Sequence, residues 1–148
     1  MNNGGLFGER EGWHLPDHDD ADWAATAPAD VEPGEYWLRT EVDLDLPRGH
    51  DVQLALAFGD TTQPRSAREN RVLIFVNGWN MGQFIAHLGP QRTFVIPPGI
   101  LNPNGENTVA LAVTTDGKAG NALEPVKLVT LRAVRGGVAL EMMEGAGQ

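Results

Sequence analysis

Few residues of this chain are of a type that does covalent chemistry, and their spacing narrows the choice further. The single serine, Ser66, sits in the polar run GDTTQPRSARENR without the Gly-x-Ser-x-Gly elbow that presents a nucleophilic hydroxyl at a strand-to-helix turn. There is no cysteine, so thiolate nucleophiles, thiolate metal sites and disulfides are all absent. His14 and His18 lie four residues apart beside Asp17, Asp19, Asp20 and Asp22, a composition that attracts divalent cations. The spacing matches neither a helical zinc motif nor an EF-hand loop, which needs a glycine at its sixth position and a glutamate at its twelfth. These aspartates are therefore read as turn formers capping a short helical turn. A structural calcium ion held partly by backbone carbonyls stays compatible with this reading, because such ligands leave no trace in a sequence.

Recognition chemistry has a better foothold. An aromatic face suits the apolar side of a sugar ring, and neighbouring amides and imidazoles suit its hydroxyls. Trp79, directly after an Asn77-Gly78 pair, is the first candidate for such a platform, with Asn80, Gln83 and His87 as hydrogen-bonding partners. The competing role for Trp79 is contact with another protein domain, since interfaces use the same residue types.

The elements that must position these residues read as strands. Eighteen glycines and 10 prolines punctuate a chain that is 41% hydrophobic, a pattern of short strands and turns. Val72–Val76 is an apolar β-rich run, and Asn77-Gly78 supplies the two positive-φ positions of a type I′ hairpin. From Tyr36 to Leu46 apolar Leu38, Val42, Leu44 and Leu46 alternate with charged residues, giving a strand with one wet face. Val52, Leu54, Leu56 and Phe58 repeat this with Ala55 and Ala57 between them, predicting a more central strand covered on both faces. Further strands are expected near Thr93–Ile96, over Thr108–Thr114 and over Val126–Val134, where a phase change predicts a β-bulge or burial on both faces. Gly59–Arg71 and Thr115–Pro125 are long polar loops, the places to look for adaptable contacts.

Charge excludes some partners. A net charge of −9, with 11 basic residues scattered among acidic ones, disfavours nucleic acid and anionic membranes. No run of 18 apolar residues, no basic-then-apolar leader after Met1 and no Asn-x-Ser/Thr acceptor is present. The expectation is a chain that stays soluble where it is made, unless it is a piece of a longer exported enzyme.

The order of these motifs carries a resemblance. The hairpin around Asn77-Gly78, Gly89-Pro90, Pro97-Pro98-Gly99, Asn104-Gly105-Glu106-Asn107 and the strand Val109, Leu111, Val113 resemble the jelly-roll, galactose-binding-like domains attached to glycoside hydrolases. GLFGEREGWHLP at 5–16, Asp19-Asp20-Ala21-Asp22-Trp23, YWLRT at 36–40 and DLDLPRGHDV at 43–52 are similar to the last such domain of family 35 β-galactosidases. The similarity runs from about Gly5 to about Val134, with His18 standing where that pattern tends to carry an apolar or aromatic residue.

The resemblance implies an all-β jelly-roll sandwich of about eight strands. It would be one domain over 1–148, with 1–30 an extended lead-in strapped on by Phe7, Trp13 and Trp23 and 145–148 a loose tail; Trp13, Trp23 and Trp37 fall in the matching segments, which implies that they are packing residues. It also implies an accessory role, in contact with the catalytic barrel and a neighbouring sandwich of the parent enzyme. The alternative is an autonomous module that binds galactosides. Sandwiches of this type often hold a structural calcium ion, and the fungal relatives are secreted. A β/α barrel needs about 200 residues or more, which this chain lacks. Retaining glycoside hydrolysis needs two carboxyl groups about 5 Å apart. The related barrels place an Asn directly before the acid/base Glu, whereas this chain has only Glu69-Asn70 and Glu106-Asn107. Catalysis by the chain itself is not expected. Strands apolar on both faces predict weak self-association, opposed by the net charge of −9.

Overall fold

In the computed structural model, residues 5–26 and 33–136 are described. They form two antiparallel sheets. The strands are β1 (Gly34–Asp45), β2 (His50–Phe58), β3 (Asn70–Val76), β4 (Trp79–Ile85), β5 (Thr93–Ile96), β6 (Asn104–Thr115) and β7 (Val126–Arg135). The larger sheet has the order β1-β6-β3-β4 and the smaller the order β5-β2-β7. The described residues thus hold seven strands where about eight were expected, still a two-sheet jelly-roll sandwich. The expected tail at 145–148 lies outside them.

Period-two patterning fixes which side chains enter the core. Val52, Leu54, Leu56 and Phe58 of β2 face Val72, Ile74 and Val76 of β3 and Val109, Leu111 and Val113 of β6 across the sandwich. Phe58, Phe84 and Phe94 close one end, Phe58 stacked on Phe84 at 4.6 Å and edge-on to Phe94 at 5.6 Å. Strand β2 is central in its sheet, and Ala55 and Ala57 are buried on its second face. Against β2, the register of β7 shifts so that Gln53 opposes Arg132 and Leu54 opposes Thr130, which leaves Leu131 as the extra residue of a bulge. The phase change in the sequence is this bulge; burial on both faces is not the reason, since Thr130–Arg135 are exposed.

The β3–β4 hairpin turns at Asn77 and Gly78, with φ of 48° and 82°, both positive as a type I′ turn requires. Asn77 does more than turn the chain. It is buried, its Nδ2 donates to the Ile100 carbonyl at 2.6 Å and to Asn107 Oδ1 at 2.8 Å, and its Oδ1 accepts from the Thr108 N–H at 2.8 Å. Asn107 in turn donates to the carbonyls of Asn102 and Gly105. The hairpin tip is thereby fastened to the start of β6 and to the 3-10 turn Pro98–Ile100.

The lead-in covers the outer face of the larger sheet. Helix α1 (Phe7–Arg10) and the turns after it lay Leu6, Trp13 and Trp23 on Trp37, Leu73, Phe75, Ala110 and Ala112. Trp13 is edge-on to Phe7, Trp23 and Trp37 at 5.5, 5.6 and 6.0 Å. Arg39 locks this strap: it pairs with Asp20 at 2.8 Å and donates to the carbonyls of Trp13, Leu15 and His18. The aspartates act as turn residues, Asp19 Oδ1 accepting the Ala21 N–H. His18 packs its ring against Trp23 at 5.6 Å, keeping an aromatic contact where the family pattern favours an apolar or aromatic side chain.

Candidate functional site

The four residues singled out for sugar recognition are not brought to one place. Trp79 opposes Val76 in the hairpin and packs, half-buried, against the main core. Asn80 opposes Phe75 and Gln83 opposes Leu73, so both sit on the other face of the sheet, the one the strap covers. Asn80 Oδ1 accepts the Gly82 N–H across a register shift that leaves Met81 as an extra residue. His87 lies past the far end of β4. The sequence shows the hairpin, but a bulge inside the strand and the choice of inner face follow from packing, not from the turn.

The histidine and aspartate cluster is dispersed as well. His14 packs on Phe75 at 4.9 Å and burial lowers its pKa from the usual histidine value, while Asp20 is held below the carboxylate range by its bond to Arg39. No three His, Asp or Glu side chains among the described residues converge as cation ligands.

Carboxylates meet on the exposed outer side of β1 and β6, where Asp43 opposes Glu106 and Glu41 is near. The Glu41 charge is the main cause that raises the Glu106 pKa. All three are exposed, so water screens them.

At the opposite end, the two long polar loops are stitched together instead of lying free. Glu124 pairs with buried Arg92 and accepts from Ser66 Oγ at 2.8 Å, and Arg68 donates to the Ala122 carbonyl at 2.8 Å. Asn121 accepts the Glu69 N–H at 2.8 Å and donates to Asp116 at 2.9 Å. Asp116, also bonded by Lys118, has its pKa lowered to about 2. Beside these loops Asn70 and His87 help to line a cavity of about 300 Å³. Sequence reasoning missed this pairing of loops, because side-chain bonds between segments some 50 residues apart leave no local pattern.

The remaining surface of note is the outer face of the smaller sheet. Ala55, Val95 and Val129 are cross-strand neighbours pointing away from the core, with the bulged Leu131 and then Val134 farther along β7. Val95, Leu131 and Val134 are 47, 47 and 41% exposed. Among the described residues, no strap like that of the larger sheet lies on this face.

The fold is thus an antiparallel two-sheet β-sandwich. The profile of the β-galactosidase second all-beta domain matches residues 7–119, and the chain belongs to that family. "Probable beta-galactosidase C" of Aspergillus niger is 38% identical over 142 residues, covering 93% of this chain and 14% of that protein. "Probable beta-galactosidase B" of Sclerotinia sclerotiorum is 44% identical over 115 residues, 76% of this chain and 11% of that protein. The chain therefore spans about an eighth of the relatives it matches. The resemblance to a family 35 β-galactosidase domain agrees with these matches. Among solved structures, a Ruminococcus gnavus β-glucuronidase in complex with uronic isofagomine aligns with a TM-score of 0.47 and 17% identity, over 73% of this chain and 18% of that one. No helix among the described residues is long and apolar enough to cross a membrane.

Proposed function

We propose that this chain is a non-catalytic accessory domain of a β-galactosidase, which docks onto another part of that enzyme, the catalytic barrel foremost, and stabilises it. The observation that carries this reading is the contrast between the two outer faces. The larger sheet buries Trp37 and Phe75 under its own strap, whereas the smaller leaves Val95, Leu131 and Val134 in water. We read this exposed apolar strip, bordered by Lys127, Arg132 and Asp51, as the face that a neighbouring domain covers. Relatives about seven times as long have ample chain to supply one. The absence of catalysis rests on chemistry: glycoside hydrolysis needs one carboxyl kept protonated in a site that excludes water, and Glu41, Asp43 and Glu106 are open to solvent.

Leu131→Asp introduced into the full-length enzyme tests the docking. The expected result is a lower melting temperature for the enzyme with the melting of the isolated chain unchanged. Equal stability of mutant and wild-type enzyme would remove this face as the docking surface. The isolated chain is expected to leave a chromogenic galactoside unhydrolysed above the buffer rate.

A further inference from the structure

The two sheets are uneven. Four strands of the larger face three of the smaller, and among the described residues no strand pairs with the side of β7 turned away from β2. On the larger sheet, Leu38, Val42, Leu44 and Leu46 of the edge strand β1 pack against the core but are only half-buried. Val126 and Leu128 of β7 are in the same state. Between these two edges is a cavity of about 360 Å³, lined by Leu38 and Val42 of β1, Val126 and Leu128 of β7, and Leu56 and Leu111 of the core. The sandwich is thus open on the side where a further strand of the smaller sheet would lie.

The backbone of β7 decides what fits there. The Gly59 N–H donates to the Pro125 carbonyl at 2.8 Å, and from that pair the register runs without a slip as far as Leu54 opposite Thr130. Antiparallel bonding alternates, so Lys127 and Val129 turn their N–H and C=O groups toward β2, whereas Val126, Leu128 and Thr130 turn theirs to the free edge. Val126 and Leu128 also aim their side chains at the core, so one added strand would bond the edge and cover the cavity together. A small apolar ligand would fill the cavity but leave that row of backbone groups unbonded. Beyond Thr130 the bulge at Leu131 interrupts the edge, which confines a regular addition to residues 126–130. On the outward side of this stretch Lys127 is exposed and forms no ion pair among the described residues, so an acidic side chain complements it.

We propose that an extended segment from another part of the parent enzyme adds to the free edge of β7 as the eighth strand of the sandwich. Its side chains are apolar at every second position, where they fill the cavity against Leu38 and Val42, and acidic where the segment passes Lys127. The inference rests on the reading of the chain as an accessory domain. The same strand carries Val129 and Leu131 of the docking strip, so a domain seated on that strip is within reach of the edge. What sets the two contacts apart is their bonding. Cover on the face needs side chains alone, whereas addition at the edge ties up main-chain N–H groups.

Hydrogen exchange read residue by residue, by mass spectrometry with electron-transfer fragmentation, tests this in the 148-residue chain and in the full-length enzyme. In the chain alone the amides of Lys127 and Val129 should exchange slowly and those of Leu128 and Thr130 fast. In the enzyme all four should be slow, Leu128 and Thr130 by about tenfold or more relative to the chain. Thr130→Pro removes an N–H that makes no bond to β2, and should restore fast exchange at Leu128 in the enzyme while the chain melts as before. Lys127→Glu keeps every backbone bond and covers the case in which the proline variant unfolds; exchange at Leu128 should become several-fold faster in the enzyme and stay unchanged in the chain. Fast exchange at Leu128 and Thr130 in the enzyme, or no effect of either variant on Leu128, would overturn the proposal. So would slow exchange at both in the chain alone, which would assign the edge to the chain's own residues. If Leu131→Asp destabilises an enzyme in which Leu128 still exchanges fast, docking on the face stands and the eighth strand falls.

Discussion

Arg39 is the residue on which the strap depends. Its side chain is 2% exposed, and its bonds reach one carboxylate and three backbone carbonyls. Arg39→Met keeps the apolar stem but removes the ion pair to Asp20 and the side-chain donor to the carbonyls of Trp13 and His18. A loss of about 2–4 kcal/mol in chemical denaturation is expected. Gly8 is constrained in a different way. A Cβ added there would fall inside the contact distance of the Trp13 and Trp37 rings, so Gly8→Ala should cost about 1–3 kcal/mol through overpacking, and near-ultraviolet circular dichroism should report the disturbed tryptophans. At the hairpin, Gly78 has φ of 82°, where a β-branched side chain is strained. Gly78→Val should lower the melting temperature, and because the turn sets the β3–β4 register, amide exchange should rise along both strands.

The strap as an element is sensitive to acid in a direction that the two shifted groups fix. Burial lowers the His14 pKa in the folded chain, so the unfolded chain takes up its proton first. The stability that depends on neutral His14 is complete above the unfolded value of 6.5 and is lost as pH falls from there toward the folded value. Asp20 is lowered too, by its bond to Arg39, and its contribution is complete above 3.8 and disappears only below that. Two separate windows follow. Melting measured between pH 7.5 and 5 should fall more steeply for the wild type than for His14→Phe, which keeps the contact with Phe75 without the ionisation. Parallel curves would show that His14 does not report on strap attachment.

At the scale of the whole molecule, the bare face of the smaller sheet competes with the net charge of −9. At neutral pH, repulsion between copies is expected to keep them apart. As carboxylates take up protons that repulsion fades, and sedimentation should show weak, concentration-dependent association. Val95→Lys together with Leu131→Lys should abolish it without loss of folding. A monomer at every concentration and pH would mean that this face needs no cover.

Much of the fold was legible because its signals are local. The alternation from Leu38 to Leu46, the Asn77-Gly78 pair and the polar loops each depend on residues a few positions apart, and each is found where the sequence puts it. The phase change in β7 was legible too, as a bulge at Leu131. The candidate site was not legible in the same way. Period-two alternation says that a strand has two faces, but not which one turns inward; Trp79 went to the core and His87 to a cavity beyond the strand. Asn70 entered the sequence reading only as the neighbour of Glu69, since its buried bonds run to carbonyls more than 50 residues away. The sequence by itself determined the strands, the turns and the family. Only the tertiary structure decided which outer face the strap would cover and which side of the sandwich would remain open, because both depend on competition among distant segments for the same buried surface.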